Sequence, residues 1–236
     1  MTLLSGKYGT IKNENQVKLS MSRFSTFFEN KKPQILCLGA HSDDIEIGCG
    51  GTILKLLNEL PESCFYWVVF SGNAERAREA KQSANIFLEK VQSKTINVKD
   101  YKESYFPYIG SNIKDFFETL KKRVSPDLVF THYMNDAHQD HRLISDLTWN
   151  TFRNHLILEY EIPKYDGDLG NPNWYVHLDE NIVRKKLESI CRIFNSQKNK
   201  QWFTEDTFEA MLRIRGVESN SPTKYAEAFH CRKFIL

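Results

Sequence analysis

Apolar positions along the chain fall into two alternating rhythms. Residues 34–38 form a short apolar run of the length of a buried strand, and from Gly51 onward Ile53, Leu54, Leu56, Leu57 and Leu60 recur at helical spacing until Pro61 stops them. Residues 64–70 repeat the strand signal and residues 74–88 the helical one. Residues 94–98 predict a third strand, residues 113–124 a helix closed by Ser125-Pro126, and residues 127–131 a fourth strand. Strand and helix in alternation predict an α/β fold, a Rossmann-like and mostly parallel sheet flanked by helices on both faces.

The second half is less regular. Residues 143–156 read as a helix with Trp149 and Phe152 on its core side, residues 183–194 and 207–215 as two more, and residues 229–236 as a terminal extended segment with Phe234 and Ile235 in the core. Within 158–175, Pro163, Gly167, Gly170, Asn171, Pro172 and Asn173 predict a loop through the middle of the stretch. Residues 1–32 are polar and mixed. They read as an amino-terminal extension that docks through Phe24, Phe27 and Phe28, leaving 33–236 as a single domain.

Composition narrows the classes. A net charge of +2 is too small to argue for nucleic acid or an anionic membrane surface, and no run approaches the length of a membrane span. The five cysteines, at 37, 49, 64, 191 and 231, are odd in number and scattered with no Cys-x-x-Cys pair, so neither a thiolate zinc site nor a disulfide framework is suggested. With no signal-peptide core at the amino terminus, the expected location is the cytoplasm.

The chemistry gathers where two strands are expected to end. His41-Ser42-Asp43-Asp44 follows the first strand and precedes Gly48, Gly50 and Gly51. Ligands of open α/β sheets bind at that edge. Uncompensated carboxylates there cost several kcal/mol, so a cation is the economical partner, and imidazole with carboxylate suits Zn²⁺. A surface loop whose Asp43 or Asp44 caps the next helix is the plain alternative. After the fourth strand comes His132-Tyr133-Met134-Asn135-Asp136-Ala137-His138-Gln139-Asp140-His141. If a helix begins there, His138 and His141 share a face, and Asp140 is placed to hold one ring by a carboxylate–imidazole bond.

These two motifs, in this order, resemble the PIG-L/LmbE family of zinc-dependent N-acetyl-sugar deacetylases. The family's usual forms, Ala-His-Pro-Asp-Asp and His-Pro-Asp-His, are met with Ser42 and Gln139 in place of the prolines. Arg76-x-x-Glu79-Ala80, Ser196-Gln197 and Tyr225-Ala226-Glu227-Ala228-Phe229 extend the likeness. The resemblance implies His41, Asp44 and His141 as ligands of Zn²⁺, or of another divalent transition metal such as Fe²⁺. It further implies Asp43 as general base, His138 as the imidazolium that stabilises the oxyanion, Asp140 as the group keeping that ring protonated and oriented, and Arg76 as a substrate-binding residue. The implied reaction is hydrolysis of the N-acetyl group of a GlcNAc-type sugar or glycoconjugate, giving acetate and an amine. The expected partner is that small-molecule substrate, and the oligomeric state stays open, a homo-oligomer included. Tyr160, Tyr165, Trp174 and Tyr175 either pack the 158–175 loop or form a wall against which a sugar ring stacks. Two rival readings are a nucleotide-binding Rossmann-like protein, against which Gly48-x-Gly50-Gly51 fails the Gly-x-Gly-x-x-Gly pattern, and a non-catalytic sugar-binding protein on the same fold.

Overall fold

The computed structural model describes residues 24–28 and 32–235. Its strands are β1 (Gln34–Gly39), β2 (Cys64–Val69), β3 (Ser93–Val98), β4 (Leu128–His132), β5 (Leu156–Tyr160), β6 (Trp174–His177) and β7 (Ala226–His230). They form one seven-stranded sheet in the order β3-β2-β1-β4-β5-β7-β6, with β1 to β5 mutually parallel and β7 alone reversed, antiparallel to both β5 and β6. The helices are α1 (Phe24–Phe27), α2 (Asp44–Glu59), α3 (Ala74–Phe87), α4 (Gly110–Leu120), α5 (Gln139–Thr151), α6 (Glu180–Ile193) and α7 (Glu205–Glu218).

The central strands are apolar throughout because both of their faces are covered. Ile35 and Cys37 of β1 enter a core with Ile45, Ile53 and Leu57 of α2, Phe87 of α3, Ile190 of α6 and Phe208 of α7. Leu36 and Leu38 enter the opposite one, with Phe117 of α4 and Ile144 of α5. The expected architecture is the one observed.

Three boundaries differ from the expectation. Helix α2 begins at Asp44, ahead of the glycines, which lie inside the helix where neighbours come too close for a side chain. A Cβ on Gly48 would stand 2.1 Å from Cδ2 of Tyr160, and one on Gly51 2.5 Å from Leu178. Residues 156–160 are strand β5, not the end of a helix or the start of a loop, because Leu156 to Tyr160 pair with Leu128 to His132 along the whole of β4. The helical spacing of α5 runs straight into this apolar run, which hides the break at Phe152.

Near the end, the strand is β7 and it stops at His230. The expected core residues Phe234 and Ile235 are 41% and 66% exposed. Beyond the sheet, Phe234 meets an aromatic edge cluster, 5.5 Å from Phe27 and 5.8 Å from Trp174 between ring centroids. That cluster takes Trp174, on edge strand β6, out of any sugar-binding wall. Of the expected amino-terminal extension, residues 1–23 and 29–31 lie outside the described residues; Phe28 is buried in the core.

Sheet order places the chemistry. From β1 the chain passes to β2 on one side, while β4 lies on the other. The carboxyl ends of β1 and β4 therefore flank the crevice where connections diverge, the usual ligand position of such sheets. Two bonds lock this edge: Ala40 N–H donates to His132 Nε2 at 2.9 Å and Ser71 Oγ to Ala40 O at 2.8 Å.

Candidate metal centre

Asp43 stands at the amino-terminal cap of α2, and its carbonyl accepts the first helical bond from Ile47 N–H at 3.0 Å. Its carboxylate makes no capping bond. The capping alternative for this acid is thereby removed. Asp44, one residue on, turns inward, and its Oδ2 accepts from His41 N–H at 2.6 Å. On the other side, α5 starts at Gln139, so His138 is its cap and Asp140 and His141 occupy the first turn. The His138 and His141 rings still stack, 4.6 Å apart.

Three donor atoms converge from residues far apart in sequence. His41 Nδ1 lies 3.1 Å from His141 Nε2 and 3.5 Å from Asp44 Oδ2, and His141 Nε2 lies 3.6 Å from the same oxygen. Atoms bound at 2.0–2.1 Å to one tetrahedral ion stand about 3.3 Å apart. The opposite edge of each ring meets a carboxylate: His41 Nε2 is 3.1 Å from Asp140 Oδ2, and His141 Nδ1 is 2.9 Å from Asp136 Oδ2. With a proton on each carboxylate side, the facing nitrogens and Asp44 Oδ2 have lone pairs to offer a single ion. The donor set fits a zinc-type ion, with the outer carboxylates that normally orient ligating imidazoles.

Burial, with His132 stacked on the ring, pushes His141 down to about 3, which keeps it a neutral imidazole. Burial opposes the charge on His41, but Asp44 and Asp140 outweigh it and raise that ring. Burial raises the Asp44 carboxyl as well, yet His141, His132 and His41 together hold it well below the usual range. Asp43 moves the other way, pushed up by burial and by the adjacent Asp44.

The remaining expected residues lie around this centre, with one change of partner. Asp140 does not hold His138. Its carboxylate takes His41 and the N–H groups of Ser104 and Phe106, at 2.6 and 3.1 Å, while only its backbone N–H reaches His138 Nδ1, at 3.2 Å. His138 Nδ1 is therefore an acceptor, and burial together with the charge on His41 lowers the ring. Arg76, at the start of α3, donates through Nε to Ser42 Oγ at 3.1 Å, stands 3.8 Å from Asp43 and pairs with Glu103. Ser42 and Gln139, the two departures from the usual motifs, each make a bond that proline lacks: Gln139 Nε2 donates to Ser104 O at 2.6 Å.

Several residues of the site escaped the sequence reading. His132 is fully buried beneath it, with Nε2 3.2 Å from Asp44 Oδ2, and its position as the last residue of a strand at the binding edge was the available signal. Asp136, Glu103, Lys164 and Asp168 had no local pattern. The later residues that carried the resemblance are braces: Glu79 accepts from Ser196 N–H at 3.0 Å, and Glu227 accepts from Gly51 and Thr52 N–H at 2.8 and 2.6 Å while pairing with Lys186 at 2.6 Å.

Comparison with known proteins agrees with this geometry. Residues 36–152, which include both motifs, match the PIG-L family model, described as GlcNAc-PI de-N-acetylase. The uncharacterized deacetylase YaiS of Escherichia coli (strain K12) is 28% identical over 145 residues, covering 57% of this chain and 76% of that protein. N,N'-diacetylchitobiose deacetylase from Pyrococcus horikoshii superposes with a TM-score of 0.62 at 20% identity, covering 89% of this chain and 86% of the other. GalB, the 4-carboxy-2-hydroxymuconate hydratase of Pseudomonas putida KT2440, superposes with a TM-score of 0.69 at 16% identity, covering 86% and 98%. One fold thus carries more than one reaction, and the site and the family have to name it. With both motifs inside the matched residues and their side chains gathered at one point, the chain belongs to the PIG-L family of deacetylases.

Proposed function

We propose that this deacetylase holds a zinc-type ion on His41, Asp44 and His141 and removes the N-acetyl group of a GlcNAc-type sugar or glycoconjugate. The observation that carries the reading is the set of three potential ligand atoms 3.1–3.6 Å apart, each imidazole backed by its own carboxylate. Bound there, the ion supplies a Lewis acid that acidifies water and polarises the amide carbonyl.

The chain's own residues do the rest. Asp43, uncapped and raised, accepts the proton of the attacking water as general base. His138, with its Nδ1 engaged as acceptor, carries its proton on Nε2 and donates it as a hydrogen bond to the developing oxyanion. Asp43, once protonated, is then the group that returns a proton to the departing amine. Arg76 and Glu103 form a charged wall beside Asp43 that suits the hydroxyls of a sugar.

Of the four aromatic candidates for a stacking wall, support falls on Tyr165. Tyr160 is buried, and Tyr175 donates to Pro172 O at 3.0 Å. Tyr165 is 70% exposed and accepts from Gln201 N–H at 3.3 Å, on a loop fastened beside His138 by the Asp168 bond from Ala137 N–H at 2.6 Å. All five cysteines are free, which supports a reducing compartment such as the cytoplasm. Among the described residues no helix is long and apolar enough to cross a membrane.

The test pairs metal content with release of a primary amine from an N-acetylglucosamine glycoside. Asp43→Asn is expected to keep the metal and lose roughly 10²–10⁴-fold in kcat, whereas His141→Ala loses the metal too. Full activity in either variant, or a wild-type chain that binds no divalent ion, overturns the proposal.

A further inference from the structure

Lys164 lies on the loop that follows β5, outside both motifs, and its ammonium is nearly buried between two carboxylates. Nζ stands 3.0 Å from Asp136 Oδ2 and 2.5 Å from Asp168 Oδ2, and all three side chains are almost closed to solvent. The same Asp136 oxygen is the one 2.9 Å from His141 Nδ1, while Asp136 Oδ1 accepts from His138 N–H at 2.8 Å. Asp168 accepts in turn from Ala137 N–H at 2.6 Å. The chain of contacts runs from the loop to the imidazole at the centre: Asp168, Lys164, Asp136, His141.

We propose that Lys164 is a positioning residue for the metal centre, acting through Asp136 on His141. The inference rests on the metal reading above. Its cause is electrostatic. Two carboxylates share one cation in a poorly solvated place, so without the ammonium Asp136 and Asp168 face each other as like charges and repel. Both carboxylates are anchored, Asp168 to the Ala137 amide and Asp136 through Oδ1 to the His138 amide, so the repulsion is relieved by rotation of Asp136 about that anchor. Turning takes its oxygen off His141 Nδ1, and the imidazole loses the bond that fixes its ring and supports its basicity as a ligand. The 161–173 loop and the metal thus depend on each other through a single lysine.

Zinc affinity, measured by chelator competition on the purified full chain, tests this without any need for turnover. Lys164→Met is expected to weaken zinc binding by roughly 10–100-fold, the range for losing an outer partner of a ligating imidazole. Adding Asp168→Asn, which removes the opposing charge and keeps an acceptor for Ala137, restores most of that loss. In an Asp136→Asn background, Lys164→Met changes the affinity no further, because the residue acts through Asp136; this comparison stands even if the single Lys164 variant folds poorly. Zinc binding by Lys164→Met within twofold of wild type, failure of Asp168→Asn to rescue it, or a second loss of equal size in the Asp136→Asn background overturns the inference while leaving the metal centre intact. A wild-type chain that holds no zinc overturns both.

Discussion

Asp140 Oδ2 lies 3.1 Å from His41 Nε2, a bond between residues 99 apart in sequence that joins the second motif to the first. The acid sits between two histidines of its own motif and holds neither; it reaches across the crevice instead. The same carboxylate fixes the amides of Ser104 and Phe106, and so keeps the turn at Ser104, whose φ is 65°, in the left-handed region. Through that turn Glu103 is carried to Arg76.

Asp140→Asn keeps the shape but can set a donor against the Nε2–H of His41. Chelator competition is expected to show zinc affinity lower by roughly 10–100-fold, with the far-ultraviolet circular dichroism spectrum unchanged. Wild-type affinity in this variant would mean that the bond to His41 does not orient the ligand.

Gly48 gives a prediction whose sign runs against helix propensity. In an exposed helix, alanine for glycine stabilises by about 1 kcal/mol. Here the added methyl would stand 2.1 Å from the Tyr160 ring, which is itself fixed by its hydroxyl bond to Leu38 O at 2.6 Å. Gly48→Ala is therefore expected to destabilise by about 1–3 kcal/mol, the usual cost of overfilling a packed core, measured as a lower urea midpoint with an unchanged slope. An equal or higher midpoint would show that the ring yields.

How much of this was legible in the sequence follows from the range of each interaction. Strands β1, β2 and β4 were readable because strands covered on both faces are uniformly apolar, and the polar motifs at their ends broke that pattern sharply. Strand β5 was hidden because its Leu156-Ile157-Leu158 run continues the apolar spacing of the preceding helix, and only pairing with β4 identifies it. Residue type and position at the sheet edge marked both motifs as candidate ligands, and the resemblance to the family's motifs picked out the three donors that converge. The partner of Asp140 was not legible, since nothing in a linear motif distinguishes a neighbour two residues away from one delivered by another strand. Lys164 and Asp168 were invisible for the same reason: their role depends on where a loop of mixed composition comes to rest.

Tyr165 offers a test of substrate class. Stacking against one sugar or aryl ring contributes about 0.5–1.5 kcal/mol, which corresponds to roughly 2–12-fold in affinity. Tyr165→Ala is expected to raise KM for an N-acetylglucosamine glycoside with a ring-bearing aglycone by that factor, leaving kcat and the kinetics on free N-acetylglucosamine unchanged. Tyr165→Phe should behave as wild type, because the face of the ring and not its hydroxyl makes the contact. Equal losses on both substrates would assign Tyr165 to the loop's structure.

Acid stability is expected to depend on Glu161, away from the metal. Its carboxylate accepts from Arg215 Nε and Nη2 at 3.1 and 2.7 Å and from Gly170 N–H at 2.8 Å, with His230 Nε2 at 3.4 Å. Burial pushes this carboxyl up, but the His230 bond and the Arg215 charge more than offset it and hold it below the ordinary glutamate value. A carboxyl depressed in the folded state binds its proton more readily when unfolded, so the stabilisation is complete above the unfolded value and is lost as pH falls through the folded one. Glu161→Gln removes the charge at every pH. The stability gap between wild type and this variant, from urea unfolding at successive pH values, should be constant near neutrality and begin to narrow as pH drops below the ordinary glutamate range of about 4.3. It should close once Glu161 is protonated in the folded protein too. A gap that widens toward acid would mean that the folded carboxyl is raised, and that burial rather than Arg215 and His230 governs it.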